Sequence, residues 1–567
     1  MFFKNKLLIG AASLVLAACG GADQSSETAS ASCEAADTVF HNTLIYVADD
    51  ANSTAEAVAV KDSKIVFVGS NADAANYMCG DARVIDMAGK FMYPGFTDSH
   101  QHLAGIGVRQ KNVNLMNITT LAATVKRIEE YAEDVDEGDW ILGRGWIESD
   151  WTDEQRFLTR HDVDYFSADK PLYIRRADGV SAFANSKAFE IAGITKDTPD
   201  PYGGTIERDE NGEPTGYLIA RAMPLIEKHL PAEDYAYVKD SVERGLKYNA
   251  SLGWTQTQDA GMYMEELKAL KEIQSEGNQL HRVYAAIELS EAWDILNSGR
   301  ELPEDNMITV RGIKMYIDGT LGSRGAALLE NYSDADNSGL ITRKKEVLMP
   351  VMQEALRKGF QIEIHAIGDR ANRVILDWYQ EAFDSVSKEE WMEDNPRWRM
   401  EHAQIIHPDD QTRFIDLGII PSMQPSHAIG DLHFAMDRLG PDRISYAYPW
   451  KTMVNLGAKV IGGSDSPVEI GDPRIEFYAA VARKDLTGYS GEGWHPELAL
   501  SRDEALKMFT AWPAYASFRE DVLGTVEVGK FADFTVFNKD IMTIPVEEIM
   551  ESENVMTVVG GNITYEK

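Results

Sequence analysis

The sequence predicts an α/β protein: a closed (β/α)8 barrel of the TIM type, with a small β-sandwich domain built from both termini and a large insertion after the first barrel strand. Three observations carry this. Eight short apolar runs recur along the middle of the chain, mostly separated by helical stretches. Both ends are rich in alternating apolar residues and turn formers. One connection, of roughly 145 residues, is far longer than an ordinary loop.

The eight runs are GFTDSHQ, GWTQTQDA, HRVYAAIEL, GIKMYIDG, QIEIHAI, WRMEHAQ, GIIPSMQP and KVIGGSD. Strand, helix, strand at this spacing means parallel pairing through right-handed crossovers, and eight such units close a barrel. The barrel is assigned to 94–519. Residues 37–93 read as hairpins, with a turn at Lys61-Asp62-Ser63. Residues 520–567 have the same texture, so the two ends are expected to form one sandwich. The insertion, about 107–250, carries its own strands in DWILGRGW and PLYIRRAD. It also carries a hairpin, GGTIERDENGEPTGYLI, that turns at Glu210-Asn211-Gly212. Its place after the first strand puts it at the catalytic face.

The first 18 residues have a basic start and a short apolar run, the pattern of an export signal. Leu16-Ala17-Ala18-Cys19 resembles the bacterial lipobox, which makes Cys19 the lipidated mature N-terminus. Residues 19–36 read as a flexible tether. The expected location is the bacterial cell envelope, facing the periplasm. Gly20 after the cysteine favours the outer membrane. Of the remaining thiols, Cys33 and Cys79 are expected to form a disulfide in an oxidising compartment; two buried free thiols are the alternative.

The chain of 567 residues has 91 acidic and 55 basic side chains, a net charge of −36. Nucleic acid and anionic membrane surfaces would repel it, which excludes both as main partners. Contact with a membrane is expected only through the lipid. The oligomeric state is open.

Chemistry is carried by polar groups at strand ends, which point into one mouth in a parallel barrel. His100 and His102 are two apart on a strand and share a side. Lys314 sits in an apolar strand, where burial favours the neutral amine; carbon dioxide then converts it to a carbamate that bridges two cations. His365 and His402 end IEIH and RMEH. Asp465 ends the last strand after two glycines. Each has a plainer reading alone: a salt bridge from Lys314 to Asp318 or Glu363, core histidines, a turn cap. Together they predict one or two divalent ions and metal-assisted hydrolysis. Asp465 is expected to act as general acid and base. His427, Arg324, Asp369 with Arg370, and Gln424 are candidate substrate contacts. Trp146, Trp151 and Trp494 are candidate pocket or core residues.

PGFTDSHQHL, KMYIDGTLGSR, IEIHAIGDRAN, MEHAQIIHPDD, MQPSHAIGD, GGSDSPV and LGTVEVGKFADFTVFN occur in the order of the amidohydrolase superfamily. Specifically, the chain resembles its YtcJ-like branch, the amidohydrolase 3 group. The resemblance implies a binuclear centre, usually zinc. His100, His102 and Asp465 would serve one ion, His365 and His402 the other, and carboxylated Lys314 would bridge. Many relatives have Gly-His before Ala where this chain reads Asp178-Gly179-Val180-Ser181-Ala182. The expected substrate is a small molecule with a non-peptide carbon–nitrogen (amide) bond. Ester or lactone hydrolysis, decarboxylation, and a catalytically inactive periplasmic binding protein are the competing readings.

Overall fold

The computed structural model describes residues 33–116, 118–146, 148, 151–176, 181–490 and 494–567. The expected signal segment, Cys19, nearly all of the tether, and Asp178, Gly179 and Val180 lie outside the described residues.

The fold class read from the sequence is the one observed. Eight parallel strands form the central sheet: β1 (Phe96–Gln101), β2 (Trp254–Met262), β3 (Arg282–Glu288), β4 (Ile308–Tyr316), β5 (Gln361–Ala366), β6 (Arg399–His402), β7 (Ile420–Met423) and β8 (Ile461–Gly462). Each pairs in parallel with the next. Side chains complete the seam between β8 and β1. Asp98 on β1 accepts hydrogen bonds from Ser464 N at 2.9 Å and Ser464 Oγ at 2.5 Å. Beyond it, Asp465 N donates to His100 O at 2.6 Å and His102 N to Ser466 O at 2.8 Å. The PGFTDSHQH and GGSDSP segments are therefore laced together along their backbones.

Alternation sorts the strand residues. Ile313 and Met315 of β4, and Ile362 and Ile364 of β5, pack into the main apolar core, while Lys314 and Glu363 between them are buried polar groups. Helices that return the chain carry ordinary stop signals. Helix Tyr235–Leu252 ends at Gly253 with φ +108°, and helix Pro408–Leu417 at Gly418 with φ +67°, conformations that glycine adopts freely.

The termini interleave. Strand Phe91–Pro94 pairs with Phe534–Phe537 in a six-stranded sheet. A four-stranded sheet of Thr38–His41, Ala57–Lys61, Lys64–Gly69 and Arg83–Asp86 packs on it across Phe40, Val58, Met92, Phe534 and Val536. Cys33 and Cys79 are joined by a disulfide with Cα atoms 6.4 Å apart.

Between β1 and β2 in the chain lies a fourth sheet, six-stranded, built from strands between Val113–Asn114 and Pro214–Ala220. Its hairpin of Gly204–Arg208 and Pro214–Ala220 turns at Gly212, φ +81°. Trp146 and Trp151 stack 5.9 Å apart inside this lobe, so both are core residues there. Helices Leu103–Lys111 and Tyr235–Leu252 pack against one another and against β2. They belong to the barrel wall, so the separate lobe begins at Val113. Among the described residues no helix is long and apolar enough to cross a membrane.

Candidate metal centre

The C-terminal strand ends converge as parallel topology requires. The rings of His100 and His402 lie 4.7 Å apart, those of His365 and His402 4.4 Å, and those of His100 and His102 5.7 Å. Lys314 Nζ lies 3.2 Å from His100 Nε2. Asp465 Oδ1 lies 3.1 Å from His102 Nε2 and 3.5 Å from His100 Nε2. Six side chains separated by up to 365 positions thus share one pocket floor.

Among the described residues, His100, His402 and Asp465 form a set that could hold an ion, with ligand atoms all within 4.8 Å of one another. It takes His402 from the pair implied for the other ion, while His102 approaches the same Asp465 oxygen as His100.

Ring orientation shows that this donor set suits a metal. His100 Nδ1 donates to Glu401 Oε2 at 2.5 Å, and His402 Nδ1 donates to Gln424 Oε1 at 2.8 Å. Both bonds leave an Nε2 lone pair directed at the shared space, the arrangement by which outer groups orient ligating imidazoles. His365 Nε2 is buried without a hydrogen-bond partner among the described residues, with Asp318 Oδ1 3.4 Å away. A buried nitrogen left in that state is a ready ligand. Burial keeps these rings neutral, the form that ligates: His365 falls to about 3, and His100 and His402 lie well below their usual range. Burial also lowers Lys314, against the pull of Glu401 and Asp465. Burial pushes the Asp465 carboxyl up, but His100 and the hydrogen-bonded His102 outweigh it and hold it well below the usual range.

The local backbone is built for the site. Glu401 and His402 are neighbours, so simple alternation would send them to opposite faces. His402 has φ +72° and Ala403 φ +42°, and this twist lets Glu401 support His100 while His402 enters the cluster. Asp465 has φ +56°. Non-glycine residues in this region store strain that the surroundings must hold. Arg109 does part of that holding. Its guanidinium donates to Ser466 Oγ at 3.2 Å, Pro467 O at 3.3 Å and Ile470 O at 2.7 Å, and also to Glu469 O.

The candidate substrate contacts divide. His427 belongs to the site: its Nε2 lies 3.6 Å from Asp465 Oδ2 and 3.9 Å from Glu469 Oε1. Gln404 Nε2 donates to His427 Nδ1 at 3.2 Å, which leaves the ring proton on Nε2. His427 therefore presents a donor where His402 presents a lone pair. Gln424 serves His402. Arg324 instead forms a two-pronged pair with Asp334, at 3.0 and 2.8 Å. Asp369 Oδ1 accepts from Leu329 N and Arg370 N, and Arg370 donates to Ser338 O and Gly339 O. These three tie loops in place. Asp318 is no partner of Lys314; it accepts from the backbone of Ala327, Ile367 and Gly368. Trp494 is buried beside Tyr448.

Glu401, Gln404, Asp98 and Arg109 escaped sequence reasoning. Asp98 stood in the polar cluster of PGFTDSHQH, and Glu401 directly precedes a ligand, the one signal available for each.

A metal-holding site at the mouth of a (β/α)8 barrel defines the class of metal-dependent barrel hydrolases. The chain belongs to the amidohydrolase family, whose model matches residues 83–565. It is 31% identical over 538 residues to the putative amidohydrolase YtcJ of Bacillus subtilis strain 168, covering 93% of this chain and 99% of that one. It is 28% identical to the N-substituted formamide deformylase of Arthrobacter pascens, covering 94% and 98%. A solved structure of an uncharacterized metal-dependent hydrolase from Pyrococcus furiosus superposes with a TM-score of 0.70 at 27% identity, covering 89% and 100%.

Proposed function

We propose that the protein hydrolyses a non-peptide carbon–nitrogen bond, of the amide type, in a small molecule, using two divalent ions, most simply zinc. The observation that carries this is the convergence of His100, His402 and Asp465 with both rings held lone-pair inward by Glu401 and Gln424. The formamide deformylase named above supports the choice of bond. His100, His102, His365, His402 and Asp465 would hold the ions, with Lys314 as a carboxylated bridge. Bound there, the ions supply hydroxide near neutral pH and polarise a carbonyl.

The rest falls to the chain. Asp465 accepts the proton of the attacking water and returns it to the leaving nitrogen. His427 donates its Nε2 proton in a hydrogen bond to the carbonyl oxygen as negative charge develops. Arg109 keeps Asp465 aimed by gripping the loop that follows it.

Purified protein loaded with zinc in bicarbonate buffer, assayed on pooled N-acyl amides and formamides by mass spectrometry, should release matched amine and acid. Release of alcohol or carbon dioxide instead, or of nothing from folded, metal-loaded protein, would overturn this reading. We also place the protein at the cell envelope, anchored by lipid on Cys19. The mass of the mature N-terminal peptide tests this: an unmodified peptide beginning elsewhere refutes it.

A further inference from the structure

A cavity of about 320 Å³ lies between the inserted lobe and the barrel wall, and none of the six metal-type residues lines it. Its volume is at the lower end of small-ligand sites. Three guanidinium groups line it, Arg144, Arg175 and Arg176, in a chain whose net charge is −36. Arg144 and Arg175 stand directly opposite one another on neighbouring parallel strands. Like charges in that register repel. Arg175 is answered by Glu227 at 2.7 Å and Arg176 by Glu148 at 2.8 and 2.9 Å. The Arg144 side chain has no hydrogen bond or ion pair among the described residues. Most of the other lining is apolar or aromatic, Val108, Leu142, Leu230, Tyr173 and Tyr237, with Asn112 and Glu233 as its polar members.

We propose that this cavity binds a small organic carboxylate with an apolar or aromatic body. A free guanidinium beside a second one is suited to a planar carboxylate, which accepts paired hydrogen bonds and relieves the repulsion. Two tyrosine rings and aliphatic walls take up the remainder of the ligand. Glu233 also lines the cavity and disfavours a second negative charge, so a monoanion fits better than inorganic phosphate. The barrel side of the cavity is formed by Tyr237 of helix Tyr235–Leu252 and Val108 of helix Leu103–Lys111, whose N-cap is His102. Val108 lies six residues on, about 9 Å along the axis from that histidine. The ligand therefore sits near the metal centre without entering it.

The test is calorimetric titration of 3-phenylpropionate into the zinc-loaded protein, its metal-stripped form, and the Arg144→Gln and Arg144→Lys variants. Saturable binding is expected in the first two alike. Arg144→Gln should weaken it about tenfold or more, and Arg144→Lys should retain part of it. The neutral 3-phenylpropanamide should not compete. Arg144 is exposed, so both variants should melt with the parent protein. The proposal fails if no saturable binding occurs, or if Arg144→Gln binds equally. It fails too if stripping the metal abolishes binding, which would place the ligand at the metal centre. Equal competition by inorganic phosphate would overturn the carboxylate class.

Discussion

The barrel and the inserted lobe fill their interiors with opposite materials. Inside the barrel Asp98, Lys314, Glu363, Arg399, Glu401 and Asp465 are all buried, interleaved with the histidines. Inside the lobe the buried set is Trp146, Trp151, Leu158, Phe183 and Leu172, with its charged pairs at the edges. Buried charge is unfavourable unless it is paired and hydrogen-bonded. The barrel meets that demand with a network that also positions ligands: Asp98 to Ser464, Glu401 to His100, Gln424 to His402. The lobe makes no such demand and rests on apolar packing. The barrel interior is thus organised around chemistry and the lobe interior around stability, and substitutions in each should fail in different ways.

The sharpest contrast comes from Asp465→Asn. Turnover should fall about 10²–10⁴-fold, the range for a general acid–base group, while circular dichroism and melting stay near the parent protein. Full activity in this variant would break the assignment of the barrel interior. Trp151→Ala should do the reverse. Removing a fully buried indole costs about 3–5 kcal/mol, and the loss should appear as early melting or proteolysis between 113 and 230. Zinc content measured by elemental analysis should be unchanged; loss of metal would show that lobe and centre are one unit.

Glu401→Gln keeps the shape and removes the charge that orients His100. Metal affinity should drop about 10–100-fold in a chelator competition, with the fold intact. The smallest effect is expected from Arg109→Lys. One ammonium cannot reach the four acceptors that the guanidinium holds. The catalytic rate should fall about tenfold with little change in KM, as Asp465 is less well aimed. A rise in KM alone would assign Arg109 to substrate binding instead.

Much of the barrel could be read because its signals are local. Short strand-like runs separated by helical stretches mark the barrel, and a ligand at the end of a parallel strand has only one place to go. That is why KMYIDG, IEIH and RMEH identified Lys314, His365 and His402 from short windows. Polar loop residues lacked such a constraint. Arg324 and Asp369 looked like substrate contacts, yet Asp334 and the backbone of Leu329 claim them. Gln424 and Gln404 sit near histidines in sequence as in space, but whether each donates or accepts depends on ring placement.

The sequence alone determined the strand order, the long insertion and the six groups gathered at the mouth, because periodicity and parallel topology follow from chain geometry. Tertiary structure alone decided which nitrogen each imidazole presents. It also decided that His402 turns inward beside Glu401, and that Arg144 lies beside Arg175 in the wall of a cavity. Those outcomes depend on hydrogen bonds and packing between segments far apart in the chain, which no local pattern encodes.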